Sequence, residues 1–93
     1  MAGANIWIVE DDHDILELVQ YQFQRDGFQT RAFTSLAEAR KRLARGLPDL
    51  LLLDLMLPDG NGPDFCRELR GDDRTCALPV IVMTARDDDT DIV

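Results

Sequence analysis

Three carboxylates follow directly on two short apolar runs. Glu10 and Asp11 come after Ile6-Trp7-Ile8-Val9, and Asp54 comes after Leu50-Leu51-Leu52-Leu53. An apolar strand runs into a core, and a carboxylate at its tip is costly there unless something neutralises it. If the two strands lie side by side and parallel, the three acids meet. Like charges held that close resist ionising. A divalent cation relieves the repulsion, and so does chemistry performed by one of the carboxylates. A fourth group, the hydroxyl of Thr84, follows on a third apolar run, Val80-Ile81-Val82-Met83.

The elements that must position these groups alternate in kind. Ile6–Val9, Leu50–Leu53 and Val80–Met83 read as buried parallel strands, and the more polar Phe28–Phe33 as an edge strand. Helical patterns lie between them. The first is expected to start near Asp14, with Glu17 three residues on as its capping partner, and to end at Gly27. Its buried face carries Ile15, Val19 and Phe23, widened by Leu16 and Leu18. The second runs from Ser35, with Glu38 in the capping position, through Leu36, Ala39 and Leu43 to Gly46 and Pro48. The third opens at Asn61-Gly62-Pro63, where proline's missing N–H costs nothing. It carries Phe65, Cys66 and Leu69 to Gly71. The order β-α-β-α-β-α-β implies an α/β fold: a mainly parallel sheet with helices on both faces. Sites in such sheets lie beyond the C-terminal strand ends. Glu10, Asp11, Asp54 and Thr84 are therefore expected to converge at one sheet edge.

Composition narrows the function classes. The chain has 93 residues, enough for one domain, and is 45% hydrophobic and 30% charged, as a globular protein is. Ten Lys+Arg against 18 Asp+Glu give a net charge of -8, which argues against direct binding to nucleic acid or to an anionic membrane surface. Cys66 and Cys76 fit no metal-ligand spacing and are expected as reduced thiols, one against the core and one in a loop. The N-terminus lacks the basic region of a signal peptide, and no apolar stretch approaches spanning length. A soluble cytoplasmic protein is expected. Asp12 and Asp14 read as solvated or capping residues, His13 as a surface residue, and the run Asp87-Asp88-Asp89 as the cap of a fourth helix.

Ile8-Val9-Glu10-Asp11-Asp12, Leu53-Asp54-Leu55-Met56-Leu57-Pro58-Asp59-Gly60-Asn61-Gly62 and Pro79-Val80-Ile81-Val82-Met83-Thr84-Ala85-Arg86 resemble, in this order and over the whole chain, the response regulator receiver domain of two-component signalling. The resemblance implies a flavodoxin-like sheet of order 2-1-3-4 in these strands. It implies that Asp54 is the phosphoacceptor for a sensor histidine kinase, and that Mg²⁺ is the cofactor. Asp11 matches a direct metal ligand, Glu10 an acidic partner acting largely through water, and Met56 the residue supplying a backbone carbonyl. Thr84 matches the hydroxyl that moves to the phosphoryl oxygen, and Ala85 the small residue that gives it room. Phosphoryl transfer asks for charge neutralisation and in-line positioning, which an all-oxygen site suits.

The resemblance also implies a fifth strand and helix, with a lysine and a switch aromatic, after Val93. Residues 1–93 therefore read as a C-terminally incomplete receiver, and impaired phosphorylation or switching is expected. Lys41, on the second helix, does not replace that lysine. The outer edge of Val80–Met83 is expected to favour a homo-oligomer or a domain-swapped dimer. A receiver-like scaffold or assembly module without phosphotransfer is the alternative. Two other readings fail on spacing. A phosphatase of the haloacid dehalogenase type needs an aspartate two residues after the nucleophile, where Met56 stands. A calcium loop counted from Asp54 or Asp59 needs glycine sixth, where Asp59 or Asp64 stands. Asp59-Gly60-Asn61-Gly62 reads instead as a turn that supplies the next helix cap.

Overall fold

The computed structural model describes residues 3–83. Its elements are β1 (Asn5–Val9), α1 (His13–Arg25), β2 (Gln29–Phe33), α2 (Leu36–Leu43), β3 (Leu50–Asp54), β4 (Met56–Leu57), β5 (Gly60–Asn61), α3 (Gly62–Arg70) and β6 (Val80–Met83). The main sheet is parallel, in the order β2-β1-β3-β6. This is the expected 2-1-3-4 arrangement. The fourth main strand is sixth in chain order because β4 and β5 form a small antiparallel hairpin between β3 and α3. Strand β2 is an edge, as its polar sequence suggests.

The continuous apolar runs are explained by burial on both sheet faces. Side chains alternate along a strand, so Trp7, Val9, Leu51, Leu53, Val80 and Val82 point to one face. There they pack with Leu36, Ala39 and Leu43 of α2 and with Phe65 and Leu69 of α3. Ile6, Ile8 and Leu52 point to the other face and meet Leu16, Val19 and Phe23 of α1. Each fully buried aliphatic or aromatic side chain contributes roughly 1.5–3 kcal/mol relative to exposure. Cys66 packs beside the first cluster and Cys76 is exposed, both as free thiols.

Local chemistry sets the helix ends, with three departures from expectation. Helix α1 starts one residue before Asp14, and its cap is Asp12, whose Oδ1 accepts the N–H groups of Asp14 and Ile15 at 2.9 and 3.2 Å. The nearest acid ahead of the first turn takes the orphan donors, so the Asp14–Glu17 pair is not the cap. Leu18 is 58% exposed and does not widen the buried face. At about 100° per residue it lies on the opposite side of the helix from Leu16. Ser35 caps α2 through Glu38 N, but Glu38 reaches back to Thr34 N and Oγ1 rather than to Ser35.

The other ends follow expectation. At the α1 C-terminus Gly27 has φ +94°, and the N–H groups of Gly27 and Phe28 donate to Gln24 O and Phe23 O. The edge-to-face contact of Phe23 with Phe28, 5.8 Å between centroids, completes this Schellman ending. Asn61 caps α3 by accepting from Asp64 N, with proline in the first turn. Arg40 of α2 and Glu68 of α3 form a two-pronged ion pair at 2.8 and 2.9 Å, with the guanidinium 5.1 Å over the Phe65 ring. No helix among the described residues is long and apolar enough to cross a membrane.

Candidate functional site

Register alone brings the acids of β1 and β3 together. Ile8 pairs with Leu52 and Val9 with Leu53, so Glu10 and Asp54 come next on neighbouring strands. Glu10 N donates to Phe33 O at 2.9 Å, which holds the chain in the sheet for one residue beyond β1. The chain then turns into α1 at Asp11 and Asp12. One carboxylate oxygen from each of Glu10, Asp11 and Asp54 lies within 4.8 Å of the others. The expected gathering of these three side chains is thus what the fold produces.

Their environments differ. Glu10 is 3% exposed, Asp54 half-buried and Asp11 exposed. Asp12 N donates to Glu10 Oε2 at 3.0 Å, and Leu55 N donates to Asp54 Oδ1 at 2.9 Å. Burial pushes the Glu10 carboxyl up to about 7, against the pull of the Asp12 N–H and with further push from the Asp54 and Asp11 charges. Burial also raises Asp54, although the Leu55 N–H and a hydrogen bond from Glu10 oppose it. Among the described residues the ion pairs are Arg40–Glu68 and Arg67–Asp64, so no side-chain cation neutralises the three acids. All-oxygen donors, one of them a buried acid without a cationic partner, fit a hard divalent cation. The residues present therefore suit Mg²⁺.

The remaining site residues stand as follows. The Met56 side chain is 65% exposed in β4, opposite Asn61, so any part it plays at the site falls to its backbone. Thr84, Ala85, Arg86 and Asp87-Asp88-Asp89 lie outside the described residues. The residue before Thr84, Met83, pairs with Asp54. His13 is exposed at the start of α1.

Two supporting residues have roles that the sequence reading did not assign. Gly62 is buried, donates its N–H to Leu55 O at 2.9 Å, and leaves no room for a side chain. A Cβ there would lie 2.7 Å from the Asp54 carbonyl oxygen. Asp59 leaves its own turn and caps α2, accepting Leu36 N and Ala37 N at 3.0 and 2.9 Å. These two bonds hold its carboxyl below the ordinary range. The loop after Asp54 is thereby tied to α3 on one side and to α2 on the other. Nothing local signalled so close an approach at Gly62 or pointed Asp59 at a helix 22 residues earlier.

Comparison with known proteins agrees with this arrangement. The family model described as the response regulator receiver domain matches residues 6–93. The transcriptional regulatory protein GltR of Pseudomonas aeruginosa is 38% identical over 98% of this chain and 38% of its own length. The phosphate regulon transcriptional regulatory protein PhoB of Rhizobium meliloti is 40% identical over 95% of this chain and 39% of its own length. The chain thus spans about two-fifths of these relatives. The crystal structure of the signal receiver domain of a signal transduction histidine kinase from Syntrophus aciditrophicus superposes with a TM-score of 0.85 at 32% identity. That match covers 88% of this chain and 62% of the other. With the sheet order, the gathered acids and a family match over nearly its whole length, the chain belongs to the response regulator receiver domain family, a family of signalling domains rather than of turnover enzymes.

Proposed function

We propose that this chain is the phosphoacceptor of a two-component pathway, taking a phosphoryl group from a sensor histidine kinase onto Asp54. The observation that carries this reading is the meeting of Glu10, Asp11 and Asp54 within 4.8 Å, on strand ends that register holds side by side. In the transfer, a carboxylate oxygen of Asp54 attacks phosphorus as the bond to the kinase's imidazole nitrogen breaks. The imidazole leaves with its electron pair, and an acyl phosphate forms. The Leu55 N–H fixes Asp54 Oδ1 and so restrains rotation of the nucleophile.

Asp11, Asp54 and the Met56 carbonyl would hold Mg²⁺, with Glu10 acting largely through water. Bound there, the ion supplies the positive charge that phosphoryl transfer requires. Glu10 and Asp11 keep a negative field at the site, which favours the ion and disfavours an unescorted phosphate. The Thr84 hydroxyl is assigned to the phosphoryl oxygen after transfer. A phosphorylated side chain carries about 1.5 to 2 negative charges, enough to reorient a nearby hydroxyl and loop.

The test is intact-mass measurement after exposure to acetyl phosphate, with and without Mg²⁺. One added phosphoryl group that needs Mg²⁺, and that the Asp54→Asn variant does not acquire, is the expected result. Equal labelling of the wild type and of Asp54→Asn would overturn the assignment.

A further inference from the structure

Half of the positive charge of this acidic chain is gathered in one stretch. Between residues 29 and 48 stand Arg31, Arg40, Lys41, Arg42 and Arg45 against the single acid Glu38, while the whole chain carries -8. Arg40 is committed to Glu68. Arg31, Lys41, Arg42 and Arg45 form no ion pair among the described residues. They line two adjoining concavities. The first, of about 270 Å³, includes Trp7, Arg31, Arg42, Arg45 and Leu47. The second, of about 480 Å³, is lined by Phe33, Glu38, Lys41, Arg42 and Arg45. Glu38, whose Oε1 accepts from Thr34 N and Oγ1, is the one acid lining the second hollow, against the three cations Lys41, Arg42 and Arg45.

Helix dipole and edge protection explain part of the pattern. Cations in the last turn of α2 complement its C-terminus, and charge on an edge strand discourages pairing. They do not explain why Arg31, on a different element, faces the same hollow as Arg42 and Arg45. The groove also borders free backbone. Gln29 N donates to Ala4 O, and Phe33 O accepts from Glu10 N, so Gln29, Arg31 and Phe33 turn their backbone groups inward to β1. By alternation, Thr30 and Ala32 turn theirs outward. Among the described residues β2 pairs with β1 alone.

We infer that the groove between α2 and the outer edge of β2 docks an extended acidic segment of a partner protein. The segment adds to β2 through the backbone groups of Thr30 and Ala32, and sets its carboxylates against Arg31, Lys41, Arg42 and Arg45. Two hollows in series suit an extended chain rather than a single small anion. Main-chain pairing supplies affinity, and the basic lining selects for acid. This surface flanks the sheet edge opposite β6 and does not depend on phosphotransfer at Asp54.

Trp7, the only tryptophan, lines the first hollow and reports occupancy by fluorescence. The probe is a short synthetic peptide alternating glutamate and valine, beside the same peptide with N-methylated backbone, one with glutamine for glutamate, and inorganic polyphosphate. The acidic peptide should bind, and N-methylation or glutamine replacement should weaken it. Arg42→Glu/Arg45→Glu should cost roughly tenfold in affinity, on the scale of a few exposed ion pairs. Circular dichroism checks that this variant folds, and Arg42→Gln/Arg45→Gln serves if it does not. Asp54→Asn should bind the peptide as the wild type does. Peptide binding indifferent to N-methylation or to these substitutions would overturn the proposal, as would no binding or tighter binding of polyphosphate.

Discussion

Glu10→Gln isolates the energetic conflict at the site. The substitution keeps the shape of the side chain and an oxygen for the Asp12 N–H, and removes the buried charge. In the metal-free protein the Glu10 carboxyl titrates at about 7, against an ordinary value of 4.5. Its folded-state pKa is raised, so the folded protein holds a proton there that the unfolded chain has released. Stability is therefore lost as pH rises from about 4.5 to 7. At 1.36 kcal/mol per unit, the difference amounts to about 3 kcal/mol.

The variant lacks this penalty. At pH 8 without Mg²⁺ it should be more stable than the wild type by up to about 3 kcal/mol, and the advantage should vanish near pH 4.5. For a domain of this size that corresponds to a melting temperature higher by roughly 10 °C or more at pH 8. Urea unfolding of both proteins at several pH values, with EDTA, measures the difference, and titrating groups remote from Glu10 cancel. Mg²⁺ should narrow the gap by stabilising the wild type more than the variant. A variant less stable at pH 8, or a gain independent of pH, would refute the reasoning.

Further perturbations address the support of the site. Gly62→Ala places a methyl group against the Asp54 carbonyl and should destabilise by about 1–3 kcal/mol, with weakened Mg²⁺ binding, measured by denaturation and calorimetry. Asp59→Ala removes two bonds to the start of α2 and should lower the midpoint of urea unfolding. On α1, Leu16→Ala should cost about 2–5 kcal/mol and Leu18→Lys less than about 0.5 kcal/mol. Equal costs at Leu16 and Leu18 would place the buried face of α1 elsewhere.

The fold was legible where a signal repeats along the chain. Ile6–Val9 and Leu50–Leu53 are apolar without alternation because both sheet faces are covered, and Gly27 and Asn61 end and begin helices by local rules. Leu18 was misread because it is apolar and adjacent to a buried stripe; angular position on the helix decides burial, not residue type. Asp12 displaced Asp14 as a cap because several acids crowd that turn and only backbone geometry chooses among them. At the site, Glu10, Asp11 and Asp54 were legible because strand ends in a parallel sheet must converge. The part of Asp59 was not, since its partners in α2 are remote in sequence. Nor was the exclusion of a side chain at residue 62, which depends on how closely α3 approaches β3. The hairpin of β4 and β5 is too short to carry a periodic signal.

Manganese, which takes the same oxygen ligands as Mg²⁺ and broadens nearby NMR resonances, tests the shared pocket most directly. Substoichiometric Mn²⁺ should erase the amide signals around residues 10, 11 and 54 together, while those of Arg42 and Arg45 persist, and excess Mg²⁺ should restore them. Broadening at residues 10 and 11 that spares 54, or the reverse, would contradict a single site formed by the tips of β1 and β3.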